Sequence, residues 1–212
     1  MNTCVVCFWL VFFALLAVYV YLDLKHDLLR DQSTASRKPW SFARTQLAWW
    51  TLIIMSAFVA VLIKCNTAPH LTSSALILLG ISAATATGAR LIDVSDMKQD
   101  DIAARHQNIA SEGFLIDLIS SQNGASIHRL QALIFNLVYG VWMIVEVVNN
   151  LNNGVACDLI IPNMDANALI LLGISSGTYA VLKTPENKVA QSAVSSAKPA
   201  SGQPDQPVPP SV

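Results

Sequence analysis

An eight-residue stretch occurs twice in this chain, letter for letter, as Ala75–Ser82 and as Ala168–Ser175. Each copy lies in a long apolar segment. Each also follows another long apolar segment that opens with the pattern Ser-x-x-Arg-x-Gln, at Ser41 and at Ser126. Repeated groups of apolar segments are typical of membrane proteins that arose by internal duplication. The repeat therefore predicts that one two-helix hairpin occurs twice in the fold.

The composition indicates a membrane protein. Hydrophobic residues make up 53% of the 212 residues and charged residues only 13%, whereas a soluble domain carries about 25% charged residues. A helix needs about 20 mainly apolar residues to cross a bilayer. Five segments reach this length. The third is less hydrophobic because it contains several Ser and Thr residues, but it is included because it carries the same octapeptide as the fifth. The five segments are residues 5–22, 47–63, 72–89, 130–148 and 166–182.

These segments predict an all-α transmembrane fold with five membrane-spanning helices, an N-terminal anchor plus two parallel-repeat helical hairpins. The predicted units are an anchor (1–22), a first hairpin (23–92), a polar linker with a short amphipathic helix (93–125), a second hairpin (126–183) and a disordered tail (184–212). Both hairpins enter and leave the membrane in the same direction, so we expect a pseudo-twofold axis along the membrane normal. The first helix should pack outside the resulting four-helix bundle.

The basic residues predict the orientation. Twelve of the 13 Lys and Arg residues lie in loops or in the tail on one predicted side, and only Lys64 lies on the other. Because cytoplasmic loops are enriched in Lys and Arg, we expect the N-terminus outside and the tail in the cytoplasm. No basic residue precedes the first apolar segment and no small-residue cleavage site follows it, so a retained anchor is predicted rather than a signal peptide.

All four cysteines fall on the predicted outer side. Two alternatives stay open for Cys65 and Cys157, with a slight preference for the second. They form a disulfide that ties the hairpins together, if the outside is an oxidising periplasm, or they remain free thiols at apolar boundaries. Cys4-x-x-Cys7 has the spacing of a redox pair but lacks the βαβ pattern that such a pair requires.

Small residues at four-residue spacing predict where the helices pack. Such residues let backbones approach closely in lipid, where burial of apolar surface gives no drive for association. We therefore predict that the third helix packs against the fifth, or against a second subunit. The residues concerned are Gly80, Ala84 and Gly88 on the third helix and Gly173 and Gly177 on the fifth.

The repeated spacing at the start of each hairpin predicts anchoring at the membrane interface. Ser41 and Ser126 are expected to cap their helices through the side-chain oxygen. The polar residues that follow should lie at the cytoplasmic interface, with binding of an anionic headgroup or of a partner as the less favoured alternative. These residues are Arg44, Gln46, Arg129 and Gln131.

Some polar residues lie within the predicted spans, and the sequence leaves more than one role open for them. Glu146 is the only acidic residue within a span, and an ionisable residue there is a functional candidate because burying a charge is costly. We predict that it pairs with Lys64 or reaches the outer water. The hydroxyl residues in the inner halves of the third and fifth helices either line a polar pathway or, as we favour, hydrogen-bond between packed helices.

The motifs of catalysis are missing from the sequence. The four histidines show no metal-binding spacing with one another or with the cysteines. The chain has no Gly-rich phosphate loop, no His-Glu-x-x-His and no Gly-x-Ser-x-Gly. A net charge of −1 gives no basic surface for nucleic acid. We therefore expect no enzyme activity, no cofactor, no metal and no nucleic-acid partner.

Two motifs carry a resemblance. The paired Ser-x-x-Arg-x-Gln pattern, and Gly-Ile-Ser-Ser-Gly-Thr-Tyr over residues 173–179 followed by Lys-Thr-Pro-Glu over 183–186, resemble a family of uncharacterised bacterial membrane proteins with a duplicated hairpin. The resemblance implies this fold and no known reaction, and it places the chain in the bacterial cytoplasmic (inner) membrane. The first copy departs from the pattern, with Ala83 and Ala84 in place of Ser-Gly and Ala86 in place of Tyr.

The sequence thus favours an integral membrane protein that acts as a non-enzymatic anchor, scaffold or partner-docking subunit. The expected partners are membrane lipid, a protein bound through the cytoplasmic linker and tail, and further copies of the chain in a homo-oligomer. The alternative is an oligomeric small channel, a transporter or a membrane-perturbing effector, built around the hydroxyl-bearing helices.

Overall fold

The computed structural model describes residues 2–31, 33–67, 71–96, 110–121 and 124–179. Their fold is helical, with one short strand pair, β1 (Ser120–Ser121) and β2 (Gly124–Ala125), and a 3-10 turn at Cys157–Leu159. The helices are α1 (Thr3–His26), α2 (Phe42–Cys65), α3 (Ser73–Asp96), the short α4 (Phe114–Ile119), α5 (Ile127–Asn152) and α6, of which residues 166–179 are described.

Among the residues that the structure describes, four helices are long and apolar enough to cross a membrane. They are α1, α2, α5 and the Ser73–Ile92 part of α3. The fifth predicted span, residues 166–182, is helical up to residue 179, and its remainder lies outside the described residues. Most of the predicted linker and the whole predicted tail also lie outside them, so the five-span count stays a prediction.

The helix ends follow from a few polar residues. Asp27 and Asn66 terminate α1 and α2 in the left-handed conformation, with φ of 54° and 51°, which short polar side chains tolerate better than most. Ser41 and Ser126 do occupy the N-cap positions, but neither side chain caps its helix. The prediction that the side-chain oxygens of these two serines cap the helices is therefore wrong. Each serine is held instead by its backbone amide, which donates to the preceding segment, at Leu29 and Ile119.

Helix α2 is the centre of the molecule. It packs against α1, α3 and α5, and half of its apolar stretch is buried, compared with 17% for α1. The largest buried side chains, including Trp50, Ile53 and Ile54 of α2, meet Phe8 of α1 and Met143 of α5 in the main core. Helix α1 thus lies at the margin of the described bundle, with most of its surface exposed.

One end of the bundle, which we call the disulfide end, is fixed by polar and covalent links. Cys65 at the end of α2 is bonded to Cys157 in the 3-10 turn, with 6.3 Å between their Cα atoms. Of the two alternatives left open by the sequence, the structure has the disulfide. In addition, the hydroxyl of Ser74 donates to Asn163 at 2.9 Å and accepts from the amide of Met164. These links hold the segment before α6 against α2 and α3.

At the opposite end a second, smaller core joins five helices. Its members come from α2, α3, α4, α5 and α6, and they are Phe42, Ala43, Ala89, Leu118, Ala132 and Tyr179. Because α6 starts beside the disulfide end and reaches this second core at Tyr179, its described part runs most of the length of the bundle.

Candidate functional site

We call this second end the basic end because seven of the eight described Lys and Arg residues lie there: Lys25, Arg30, Arg37, Lys38, Arg44, Arg90 and Arg129. Two connecting segments form its surface, residues 26–41 without residue 32, and residues 110–126 without residues 122–123. The two segments are joined directly, because the amide of Ser111 donates to the carbonyl of Arg37 at 2.9 Å. Within the first segment, Ser41 donates to Leu29 and Asp31 donates to Pro39. A polar loop whose backbone groups are paired in this way holds a defined shape.

Asp117 of α4 links the two segments through its side chain. Its Oδ2 accepts hydrogen bonds from the amide of Trp40, at 3.1 Å, and from the hydroxyl of Ser111, at 2.6 Å. Its Oδ1 accepts from the amide of Glu112 at 3.0 Å. Sequence analysis missed this residue, since only the folded loops bring its donors together.

Ion pairs complete the first segment of the basic end. Asp23 is buried, and it accepts from the amide of Leu29 at 2.9 Å and from Arg30 at 3.4 Å. The guanidinium of Arg30 lies 4.5 Å from the ring centroid of Trp40. On the surface, Lys38 donates to Asp27 at 2.6 Å, and this hydrogen bond lowers the pKa of the Asp27 carboxyl below its usual value.

Helix α4 carries an exposed apolar surface beside these polar contacts. Its buried residue, Leu118, joins the second core, whereas Phe114, Leu115 and Ile116 are exposed, Leu115 by 65%. The ring of Phe114 packs edge-on against Trp40 at 5.0 Å. The short amphipathic helix predicted within residues 93–125 is thus formed at Phe114–Ile119.

The four predicted interface residues take different places. Gln46 is buried and donates to the hydroxyl of Ser176 in α6 at 2.7 Å, whereas Gln131 is exposed. Arg44 donates to the carbonyl of Leu28 at 3.3 Å. Arg129 donates to the carbonyl of Ser120 and lies over the ring of Tyr179, 5.1 Å from its centroid. In the structure Gln46 is therefore an interhelical contact rather than an interface anchor.

One close contact between helices was not predicted. It joins α2 to α5, where the indoles of Trp49 and Trp50 donate to the backbone oxygen and the side-chain oxygen of Asn136, at 3.0 and 2.7 Å. Trp49 lies directly over Gly140, and a Cβ built on this glycine would come within 2.2 Å of the indole nitrogen. The signal available in the sequence was Asn136 itself, an amide within an otherwise apolar span.

The predicted small-residue surface is not buried in the chain. Gly80 and Ala84 of α3 are exposed, and no neighbour lies within 4 Å of a Cβ built on Gly80 or Gly88. Gly177 is likewise open, and only Gly173 approaches α3, at 3.5 Å from Ile81. The prediction of a close contact along these residues within one chain is therefore wrong. Helix α3 buries its neighbouring face instead, with Leu78, Ser82 and Thr85 inward.

The predicted ion pair is not formed. The ammonium of Lys64 donates to the carbonyl of Val155 at 3.1 Å, and no salt bridge joins it to Glu146 within the described part of the chain. Lys64 reaches the disulfide-end loop because that loop is drawn over the end of α2 by the bond to Cys65. Glu146 is half-buried on α5.

Two hydroxyl residues of α3 and α6, Thr85 and Ser176, bond to protein groups. Thr85 donates to the carbonyl of Ile81, one turn earlier in its own helix, at 2.8 Å, and Ser176 accepts from Gln46. Within the described residues, two polar atoms nearby are buried without a partner, Ser82 Oγ and Gln46 Oε1. This pattern is typical of hydroxyls that join packed helices, and it favours that alternative over a polar pathway.

No metal-binding cluster of three or more His, Cys, Asp or Glu occurs among the described residues. Comparison of the chain with family models, with curated proteins and with solved structures gives no match. The resemblance to a family of bacterial membrane proteins therefore receives no support from these comparisons and stays a prediction.

Proposed function

We propose that this chain is a multi-pass protein of the bacterial inner membrane that serves as a non-enzymatic scaffold, with the basic end as its docking surface for a partner protein. The observation that supports the proposal is that the basic end has a fixed, hydrogen-bonded arrangement. Two connecting segments are fixed to each other by Asp117 and Ser111, and the resulting surface exposes three apolar side chains of α4.

Two independent features support a cytoplasmic location of the basic end. Of the eight described Lys and Arg residues, seven lie at this end and only Lys64 lies at the other, an asymmetry typical of cytoplasmic loops. The Cys65–Cys157 disulfide lies at the other end, and disulfides persist in oxidising compartments such as the periplasm. Both features support an N-terminus on the outer side, since α1 begins beside the disulfide end, where Asn2 donates to the carbonyl of Leu151 at 2.9 Å.

The proposal includes five spans and a duplicated hairpin. Helix α6 carries the exact repeat of the α3 octapeptide, which supports a common origin for the two helices. The 14 described residues of α6 extend about 20 Å at 1.5 Å per residue. They run from the Ser74–Asn163 contact at the disulfide end to the Phe42–Tyr179 contact at the basic end. This course supports α6 as the fifth span.

Site-specific photo-crosslinking in native membranes tests the docking surface. A photoreactive amino acid is placed at Leu115 in one variant and at Leu10 in another. Both leucines are 65% exposed, so they present equal access, but Leu10 lies within the apolar stretch of α1. We expect Leu115 to give one discrete adduct with a protein, and Leu10 to give lipid adducts only.

The other results are equally informative. Lipid adducts alone at both positions would mean that α4 merely rests in the membrane interface, and the docking proposal would be rejected. An adduct at twice the mass of the chain, containing only its own peptides, would instead support the alternative of a homo-oligomeric channel or effector. That alternative draws on the exposed Gly80 and Ala84 of α3, a surface that a second copy could cover.

A further inference from the structure

A groove of about 450 Å³ lies between α1, α2 and α3, next to the basic end. Most of its lining is apolar, with Leu47 on α2 and with Ala83 and Ala86 on α3. Two arginines also line it, Arg44 from α2 and Arg90 from α3. Arg90 lies close to Ile92, where the candidate span of α3 ends. The groove thus combines apolar walls with two positive charges at the edge of the apolar layer.

Neither arginine of the groove is neutralised within the part of the chain that the structure describes. Arg44 has a backbone partner, the carbonyl of Leu28, and Arg90 is exposed; among the side chains that the structure describes, no carboxylate lies within salt-bridge distance of either. Arg30 differs, since it is paired with Asp23. Two unpaired guanidinium groups favour an anionic ligand, and their planar donors match the oxygens of a phosphate.

Comparison of the two repeats explains why the groove is open. At the offset of 93 residues that aligns the octapeptides, Ala83 corresponds to Ser176 and Ala86 to Tyr179. In the second repeat, Ser176 bonds to Gln46, and the ring of Tyr179 lies under Arg129 and beside Phe42. Ala86 stands at the position of Tyr179 in the first repeat, so Arg44, the counterpart of Arg129, has no ring of α3 beside it and the groove stays open there.

We infer that this groove is a binding site for an anionic glycerophospholipid. Arg44 and Arg90 bind the headgroup phosphate, and an acyl chain lies along Ala83 and Ala86 between α2 and α3. Basic pockets between helices at the cytoplasmic surface recognise anionic lipids in this way. The inference rests on the membrane placement proposed above but not on the docking of a partner protein.

Lipid binding to the purified full-length chain, measured by native mass spectrometry in detergent, tests the inference. Phosphatidylglycerol with two oleoyl chains is the probe, and phosphatidylcholine with the same chains is the neutral reference. We expect one phosphatidylglycerol bound at least about tenfold more tightly than phosphatidylcholine, because each basic residue near the headgroup contributes about fivefold. Arg44→Gln combined with Arg90→Gln should remove this preference. Arg37→Gln, an exposed arginine of the basic end outside the groove, should retain it.

A second variant tests the shape of the groove without changing its charge. Ala86→Tyr introduces the side chain found in the second repeat and should displace the lipid while both arginines remain. Its thermal unfolding is compared with wild type, and if it does not fold, the paired arginine variant decides. Equal loss in Arg37→Gln and in the paired variant would overturn the inference. Displacement of the lipid by millimolar inorganic phosphate would overturn it as well, since the site would then recognise free phosphate.

Discussion

At the scale of single residues, Asp117 organises the basic end. Its two carboxylate oxygens accept three hydrogen bonds, from Trp40, Ser111 and Glu112. Two of these donors are backbone amides in segments that have no helix or sheet partner for them. Trp40 is half-buried, and a half-buried amide without an acceptor is costly, so the shape of the docking surface depends on this one side chain.

Asp117→Asn should therefore destabilise the protein more than its small change in volume suggests. The new amide nitrogen is similar in size to the oxygen that it replaces, but it cannot accept a hydrogen bond. At least one of the three donors therefore loses its acceptor. We expect the free energy of unfolding to fall by about 1.5–3 kcal/mol, and residues 110–121 to become sensitive to protease. Thermal unfolding in mild detergent measures the first effect and limited proteolysis the second.

Asp158→Asn is the matched control for this change. Asp158 is exposed at the disulfide end, and no hydrogen bond of its side chain is seen in the described structure. The Asp158→Asn variant should therefore unfold at the same temperature as the wild-type protein. If Asp117→Asn also unfolded at the wild-type temperature, Asp117 would not be the residue that orders the basic end.

At the scale of the helices, the contact between α2 and α5 depends on a size match. Gly140 leaves room for the indole of Trp49, whose nitrogen donates to the carbonyl of Asn136 at 3.0 Å. Trp50 donates to the side chain of the same residue at 2.7 Å. Small residues opposite large ones allow close approach of helices in lipid, and here the smallest residue of α5 faces the largest type of side chain.

Gly140→Ala should destabilise this contact, because the added methyl group would collide with the Trp49 ring and force it away from its acceptor. We expect a loss of about 1–3 kcal/mol, as for other overpacked sites. Gly80→Ala makes the same chemical change in α3 where no atom lies within 4 Å, and it should change stability by no more than about 0.5 kcal/mol. Equal effects of the two substitutions on unfolding in detergent would contradict this account of the packing.

These helices were predictable because a membrane span needs a long apolar run, and that run is visible in the sequence. Which face of each helix turns inward was not, since lipid and protein interior are almost equally apolar and hydropathy does not separate them. The glycines of α3 fit a helix contact and a lipid-facing surface equally well, whereas Gly140 is buried by a tryptophan from a distant part of the chain. The role of Asp117 also depends on loop geometry that no local pattern encodes.

At the scale of the whole molecule, the two repeats have diverged at one position of the bundle. Tyr179 and Ser176 fill the space between α6 and α2 and give Arg129 and Gln46 their partners. Ala86 and Ala83 occupy the same positions of α3, where they line the open groove between α1, α2 and α3 beside Arg44. If duplication produced both hairpins, one copy now supplies a packed interface and the other the proposed lipid site.

The measurement that tests the account most directly is the topology of the chain in the membrane. Single cysteines are introduced at Ser36, Asn153 and Ser201 in a Cys4→Ser, Cys7→Ser background that keeps the disulfide, and intact spheroplasts are treated with a membrane-impermeant maleimide. Five spans with the basic end in the cytoplasm predict labelling of position 153 in intact cells, and of positions 36 and 201 only after lysis. Labelling of position 201 from outside would contradict the fifth span, and labelling of position 36 from outside would contradict the orientation and the docking surface that depends on it.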